Sequence, residues 1–151
     1  KSWTYQPSEF GPIWNGQRLV LIRLREGPLF FAAFTDSTEQ YRHPDWPHAE
    51  GITVRDAAGN ERRVFGLYAA LSFDEGASWP VKKLITPGGA EQALDGGAWT
   101  GKFTLDATHA EPRGYLAVTQ SPDGMVHLVS SALHYRFNLA WLKAPMAAAQ
   151  L

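Results

Sequence analysis

Arg23 interrupts an otherwise apolar run, Leu19-Val20-Leu21-Ile22-Arg23-Leu24, and a guanidinium in that setting calls for a buried partner or an anionic ligand. Arg25 shares its face if the strand is regular. Arg62 and Arg63 stand together just before Val64-Phe65-Gly66, where arginines are ordinarily exposed charges. Other chemistry is set aside by residue type or spacing. Residues 41–50 gather His43, His48, Asp45 and Glu50, but the spacing matches no zinc pattern and two prolines break any helical face, so the stretch reads as an exposed loop. His109, His127 and His134 are dispersed with no G-x-S-x-G nearby, and His127 reads as a hydrogen-bonded core or rim residue. Gly88-Gly89 and Gly96-Gly97 lack the following helix and Lys of a phosphate loop. With no cysteine, disulfides, thiolate metal sites and a thiol nucleophile are excluded. No metal and no cofactor is expected.

The elements that would carry these groups are strands. Residues 72–79 read Ser-Phe-Asp-Glu-Gly-Ala-Ser-Trp, and each fixed position has a mechanical role in a turn. Ser72 closes a strand, Asp74 accepts from the amides of its own hairpin, Gly76 supplies a positive φ, and the Trp79 indole packs beneath. Two apolar β-forming runs, 17–25 and 29–34, flank Glu26-Gly27-Pro28; 52–56 and 61–65 flank Ala57-Ala58-Gly59-Asn60. The octet joins 66–72 to 81–85. Runs 115–120, 125–130 and 135–142 form a meander whose first turn is Ser121-Pro122-Asp123-Gly124. Residues 102–105 read as a short strand, and 35–51 and 86–100 as loops. Helical periodicity is confined to the Ala-rich tail after Pro145.

A chain of 151 residues that is 44% hydrophobic and 19% charged can bury one sizeable core, so residues 1–151 are read as one all-β domain. A net charge of -1 gives no footprint for nucleic acid and no polybasic membrane signal, and no apolar run reaches transmembrane length. The opening at Lys1, with no Met or apolar leader, is read as that of a processed or excised piece. The compartment stays undetermined, because many exported proteins also lack cysteine, with a slight lean to a secreted or periplasmic setting.

The order of motifs carries a resemblance. The octet 72–79 is followed by Arg-Gly-Tyr-Leu-Ala-Val at 113–118, by Asp123-Gly124, by an apolar return, and by Phe-Asn-Leu-Ala-Trp-Leu at 137–142. This succession resembles the end of bacterial exo-α-sialidases, whose blades carry the same octet, known as the Asp-box. The resemblance implies the C-terminal half of a six-bladed β-propeller, with about three of the blades in this chain. Three blades cannot close a ring and would leave open sheet edges. The remaining blades would come from an N-terminal part, a second chain or self-association.

In that family a Tyr paired with a Glu performs retaining hydrolysis of a sialoside. A neutral phenol approaches an anomeric carbon that already bears a carboxylate, where a second anion would be repelled. Arginines clamp that carboxylate in bidentate geometry. Carried over by position, Tyr115 is the nucleophile, Glu9 its activating base, and Arg23 and Arg63 the substrate-binding arginines, with Arg62 able to replace Arg63 after a one-residue shift. Leu116 stands where many relatives have Ser or Thr, and Ser130-Ser131 where many have a Glu-containing pair. The acid/base Asp and the first Arg have no counterpart, so the chain alone is expected to be inactive. The alternative is a non-catalytic carbohydrate-binding or structural Asp-box propeller. The ligand implied is a sialoside or another acidic glycan.

Overall fold

Alternation of apolar and polar side chains over short runs, punctuated by Gly and Asp, produces a structure in which 51% of the described residues are β. The coordinates are a computed structural model, and they describe residues 2–11, 13, 16–35, 51–86, 91–106, 109, 111, 114–130 and 133–146, with the backbone alone at 99. Elements are β1 (Gln17–Arg18), β2 (Val20–Arg23), β3 (Leu29–Phe34), β4 (Ile52–Arg55), β5 (Glu61–Val64), β6 (Leu67–Ser72), β7 (Val81–Leu84), β8 (Gln92–Asp95), α1 (Gly97–Thr100), β9 (Lys102–Leu105), β10 (Gly114–Gln120), β11 (Met125–Ser130), β12 (Leu133–Asn138) and α2 (Leu139–Lys143). The cluster read at residues 43–50, Arg113, Gly88-Gly89 and the tail from 147 lie outside the described residues.

Two four-stranded sheets form the body. The central sheet has the order β2-β3-β6-β7 and is antiparallel throughout, with the β4–β5 hairpin inserted between its second and third strands. The outer sheet has the order β1-β10-β11-β12, an antiparallel meander with β1 added in parallel. Phe30, Ala32, Phe34, Leu67, Ala69 and Leu71 of the central sheet pack against Leu116, Val126, Leu128 and Phe137 of the outer one. The opposite face of the central sheet carries Phe31, Ala33, Tyr68, Ala70 and Leu84, covered by Ile52, Val54 and Val64 of the hairpin and by Phe10 and Ile13. Every residue of β6 is therefore buried, which explains why its sequence, Leu-Tyr-Ala-Ala-Leu-Ser, is almost wholly apolar. Among the described residues no barrel or propeller ring closes, and no helix is long and apolar enough to cross a membrane.

The expected strands agree with the structure in most places, and the departures have local causes. The run 17–25 splits at Leu19, because Gln17 and Arg18 pair with β10 whereas Val20–Arg23 pair with β3. The run 135–142 does not continue as a strand. Asn138 is extended (φ -130°, ψ 175°) and its side-chain oxygen accepts from the Trp141 amide at 2.9 Å, an N-cap that starts α2. The Gly-rich segment 86–100 contains β8 and α1, which its composition does not reveal.

The 72–79 turn behaves as its residue types require. The Asp74 carboxylate accepts from the Ser78 amide (2.8 Å), the Ser78 hydroxyl (2.6 Å) and the Ser72 hydroxyl (2.8 Å). Gly76 has φ 89° and donates its amide to Ser72 Oγ at 2.8 Å. The Trp79 ring lies 5.2 Å from Phe10 and 5.7 Å from Phe31, fastening the turn to the second core.

Candidate functional site

The start of β10 is shaped by a glycine. A Cβ on Gly114 would lie 2.6 Å from Ser130 Oγ and 2.8 Å from the Phe34 ring, so only glycine lets β10 approach the central sheet this closely. Parallel pairing with β1 then places Gln17 opposite Gly114 and Arg18 opposite Tyr115. Beneath this pair the chain is locked by buried polar groups. Gln17 donates its side-chain amide to the Glu111 carbonyl at 3.2 Å, and the fully buried Glu111 carboxylate accepts from the Ser130 hydroxyl. Alternation along β10 buries Leu116 and turns Tyr115 outward, 53% exposed. The Arg18 guanidinium sits 4.8 Å from the centre of the Tyr115 ring, in cation–π contact.

The four residues singled out by the sequence occupy different places. Tyr115 is on the outward face of the outer sheet. Glu9 lies on the far side of the central sheet, where its carboxylate pairs with Lys82 at 2.7 Å beside Phe10. Arg23 sits at the opposite end of the sheets from Tyr115. It binds Glu75 of the 72–79 turn at 2.5 Å and the Gly27 carbonyl at 2.7 Å. That end of the molecule adjoins Gln120, whose side chain accepts from the Arg25 amide, and Gln120 is five residues along β10 from Tyr115. At ~3.4 Å per residue the two sites are separated by about 17 Å along the strand. Arg63 lies on β5 opposite Thr53 and alternates with Val64, which is buried, so it points away from the second core. Its neighbour Arg62 pairs with Asp56 at 3.3 Å. The structure thus brings Tyr115 together with Arg18 and leaves Glu9, Arg23 and Arg63 elsewhere.

Arg18 was missed because its proximity to Tyr115 comes from a two-residue parallel pairing across nearly a hundred positions. The signal that could have found it is Gly16-Gln17, since Gly16 accepts the Gly114 amide and starts the pairing. A second arrangement absent from the sequence reading is a histidine pair. His127 on β11 and His134 on β12 come within 3.1 Å through ring nitrogens. No family model, curated protein or solved structure matches this chain.

Proposed function

We propose that this chain is part of a sialidase-type β-propeller and that its start of β10 receives an acidic sugar. The observation that carries this reading is the Arg18 guanidinium held beside the exposed Tyr115 ring. An acidic sugar presents an apolar ring face and a carboxylate, which suit an exposed phenol ring and a guanidinium respectively. The site rests on buried contacts among Gln17, Glu111, Ser130 and Gly114, so the two groups are placed before ligand arrives and little ordering entropy is lost on binding. The resemblance in the 72–79 turn and the 113–142 succession supplies the choice of sialoside among acidic sugars.

Retaining hydrolysis with Tyr115 as nucleophile is the second reading, favoured by the exposure of the phenol next to a cation. Its activating base would be a group other than Glu9, because the central sheet separates Glu9 from the outer sheet. Titration of the protein with 3′-sialyllactose and with lactose, followed by NMR, tests the binding. The sialylated sugar is expected to shift resonances at Tyr115 and Arg18, and Tyr115→Ala and Arg18→Ala each to weaken it at least about tenfold, about 1.4 kcal/mol. Equal binding of the two sugars, or no effect of either variant, would overturn the proposal. A fluorogenic sialoside separates the two readings: turnover abolished by Tyr115→Phe indicates hydrolysis, and absent turnover with binding retained indicates a receptor.

A further inference from the structure

The outward face of the outer sheet carries a pair of imidazoles that strand register makes diagonal neighbours. His127 pairs with Arg136 and Val129 pairs with His134 across β11 and β12, which puts both histidines on the same face, one step apart. Their rings are within 13° of parallel with centroids 5.3 Å apart, and His127 Nδ1 is 3.1 Å from His134 Nε2. The rings therefore meet tip to tip, with a proton between two nitrogens.

The tautomer of His127 follows from its other neighbour. Ser121 Oγ lies 3.2 Å from His127 Nε2 and also contacts the Asp123 carboxylate and the Met125 carbonyl. The last two are acceptors only, so the single hydroxyl proton of Ser121 is directed to one of them. Ser121 consequently accepts from His127, Nε2 carries the hydrogen, and Nδ1 presents its lone pair to His134. A chain from carboxylate to hydroxyl to imidazole is the kind of outer support that orients a metal-binding histidine and raises its basicity.

We propose that His127 and His134 form a two-imidazole site for a divalent transition metal, Zn2+ or Cu2+. Metal–nitrogen bonds of about 2.0–2.1 Å place two ligand nitrogens roughly 2.9–3.4 Å apart, from right-angled to tetrahedral arrangements. The observed 3.1 Å is the length of a direct contact along the line joining the two nitrogens, so a chelate at this spacing needs each lone pair turned about 40° off that line. The ion takes the place of the shared proton once His134 carries its hydrogen on Nδ1 and both rings turn so that the two lone pairs converge. Imidazole is a ligand suited to zinc and copper, and the β-strand backbone fixes both ligands without a loop to reorganise. Among the described residues no third His, Asp or Glu joins the pair. The other coordination positions fall to water or to an oxygen of a bound ligand. Arg136, the direct partner of His127, opposes a second cation, and its pairing with Asp123 at 3.7 Å moderates that repulsion.

Calorimetric titration of the whole chain with ZnCl2, and separately with CuCl2, tests the site, with histidine ring resonances followed by NMR in the zinc series. One-to-one saturable binding is expected, with perturbation of His127 and His134. His127→Ala and His134→Gln are expected to abolish it, and Ser121→Ala to weaken it roughly tenfold to a hundredfold. Thermal melts confirm that each variant is folded; both histidines are surface residues of a sheet, so His134→Gln remains informative if His127→Ala does not fold. Unsaturable binding by the wild type would overturn the proposal. So would one-to-one binding that survives in the His127→Ala/His134→Gln double variant.

Discussion

Replacing Lys83 by Met isolates an ammonium that holds the end of α2 to the central sheet. Lys83 is only 2% exposed. Its Nζ donates to the Trp141 carbonyl at 2.8 Å and the Ala144 carbonyl at 2.9 Å, and lies 4.2 Å over the Trp141 ring. The last carbonyls of a helix lack full intrahelical partners; Trp141 receives only the shared Ala144 amide at 3.2 Å, so this lysine acts as a C-terminal cap reaching across from β7. Two hydrogen bonds from a charged donor contribute roughly 1.5–3 kcal/mol each. The ring contact adds about 0.5–2 kcal/mol. Lost hydration of the ammonium offsets several kcal/mol of this. Met keeps most of the apolar stem, so the expected net loss is about 2–3 kcal/mol. At about 2–4 °C per kcal/mol for a domain near this size, the variant should melt roughly 4–12 °C below wild type.

The pH dependence of the same pair supplies an independent check. Burial lowers the Lys83 pKa below its ordinary 10.5. The folded state then binds this proton less tightly than the unfolded chain, so the lysine's contribution to stability rises with pH between the lowered folded value and 10.5. The difference between wild type and Lys83→Met should widen across that alkaline interval. Thermal and urea melts at pH 7 and above pH 9 measure both effects. A variant that melts within 1 °C of wild type, or above it, would refute the assignment of the Lys83 side chain as a net stabilising cap.

Tyr135 and Tyr68 should govern the alkaline limit. Burial raises the pKa of both phenols, with smaller contributions from the charges of Glu111 at Tyr135 and Glu9 at Tyr68. Their contribution is intact below pH 10, the ordinary value, and is lost as pH rises above it. Tyr68→Phe and Tyr135→Phe should each flatten the alkaline fall in the urea midpoint; an unchanged slope would contradict the burial argument. The Tyr135 hydroxyl is buried without a hydrogen-bond partner among the described residues, so Tyr135→Phe should be neutral or stabilising by about 1 kcal/mol at pH 7. Asp74 sets an acid limit. The Ser78 hydroxyl first, then the Ser78 amide and the Ser72 hydroxyl, hold its carboxyl below the ordinary 3.8, so its contribution is present above that pH and fades as pH falls through the lowered value. Asp74→Asn should melt lower than wild type at pH 7 and converge with it in acid. Parallel melting curves across the whole range would remove the turn from the acid response.

The local geometry was legible because turns and strands are specified by neighbours in sequence. The 72–79 octet contains its own donors, acceptors and positive-φ glycine, and the structure uses them as their types demand. The 121–124 turn closes through the Ser121 amide to Met125 and the Gly124 amide to Ser121. Where the reading failed, a local competitor was overlooked. Asn138 offered an N-cap inside an apolar run, and that cap ended the strand. The Gly-rich 86–100 segment hid β8, whose side chains are mostly exposed and so carry little apolar alternation.

Sequence alone determined the all-β class, most strand positions and the mechanics of the 72–79 turn, since each depends on side-chain alternation or on hydrogen bonds within a few residues. Tertiary structure decided which polar groups meet. Gly114, by having no side chain, lets β10 press on Phe34 and brings Arg18 to Tyr115. Strand register brings His127 to His134 and leaves Arg23 with Glu75. Charge and residue type state what an arginine or a histidine can do; its partner is set by long-range pairing, because a shift of one residue turns every side chain of a strand to the other face.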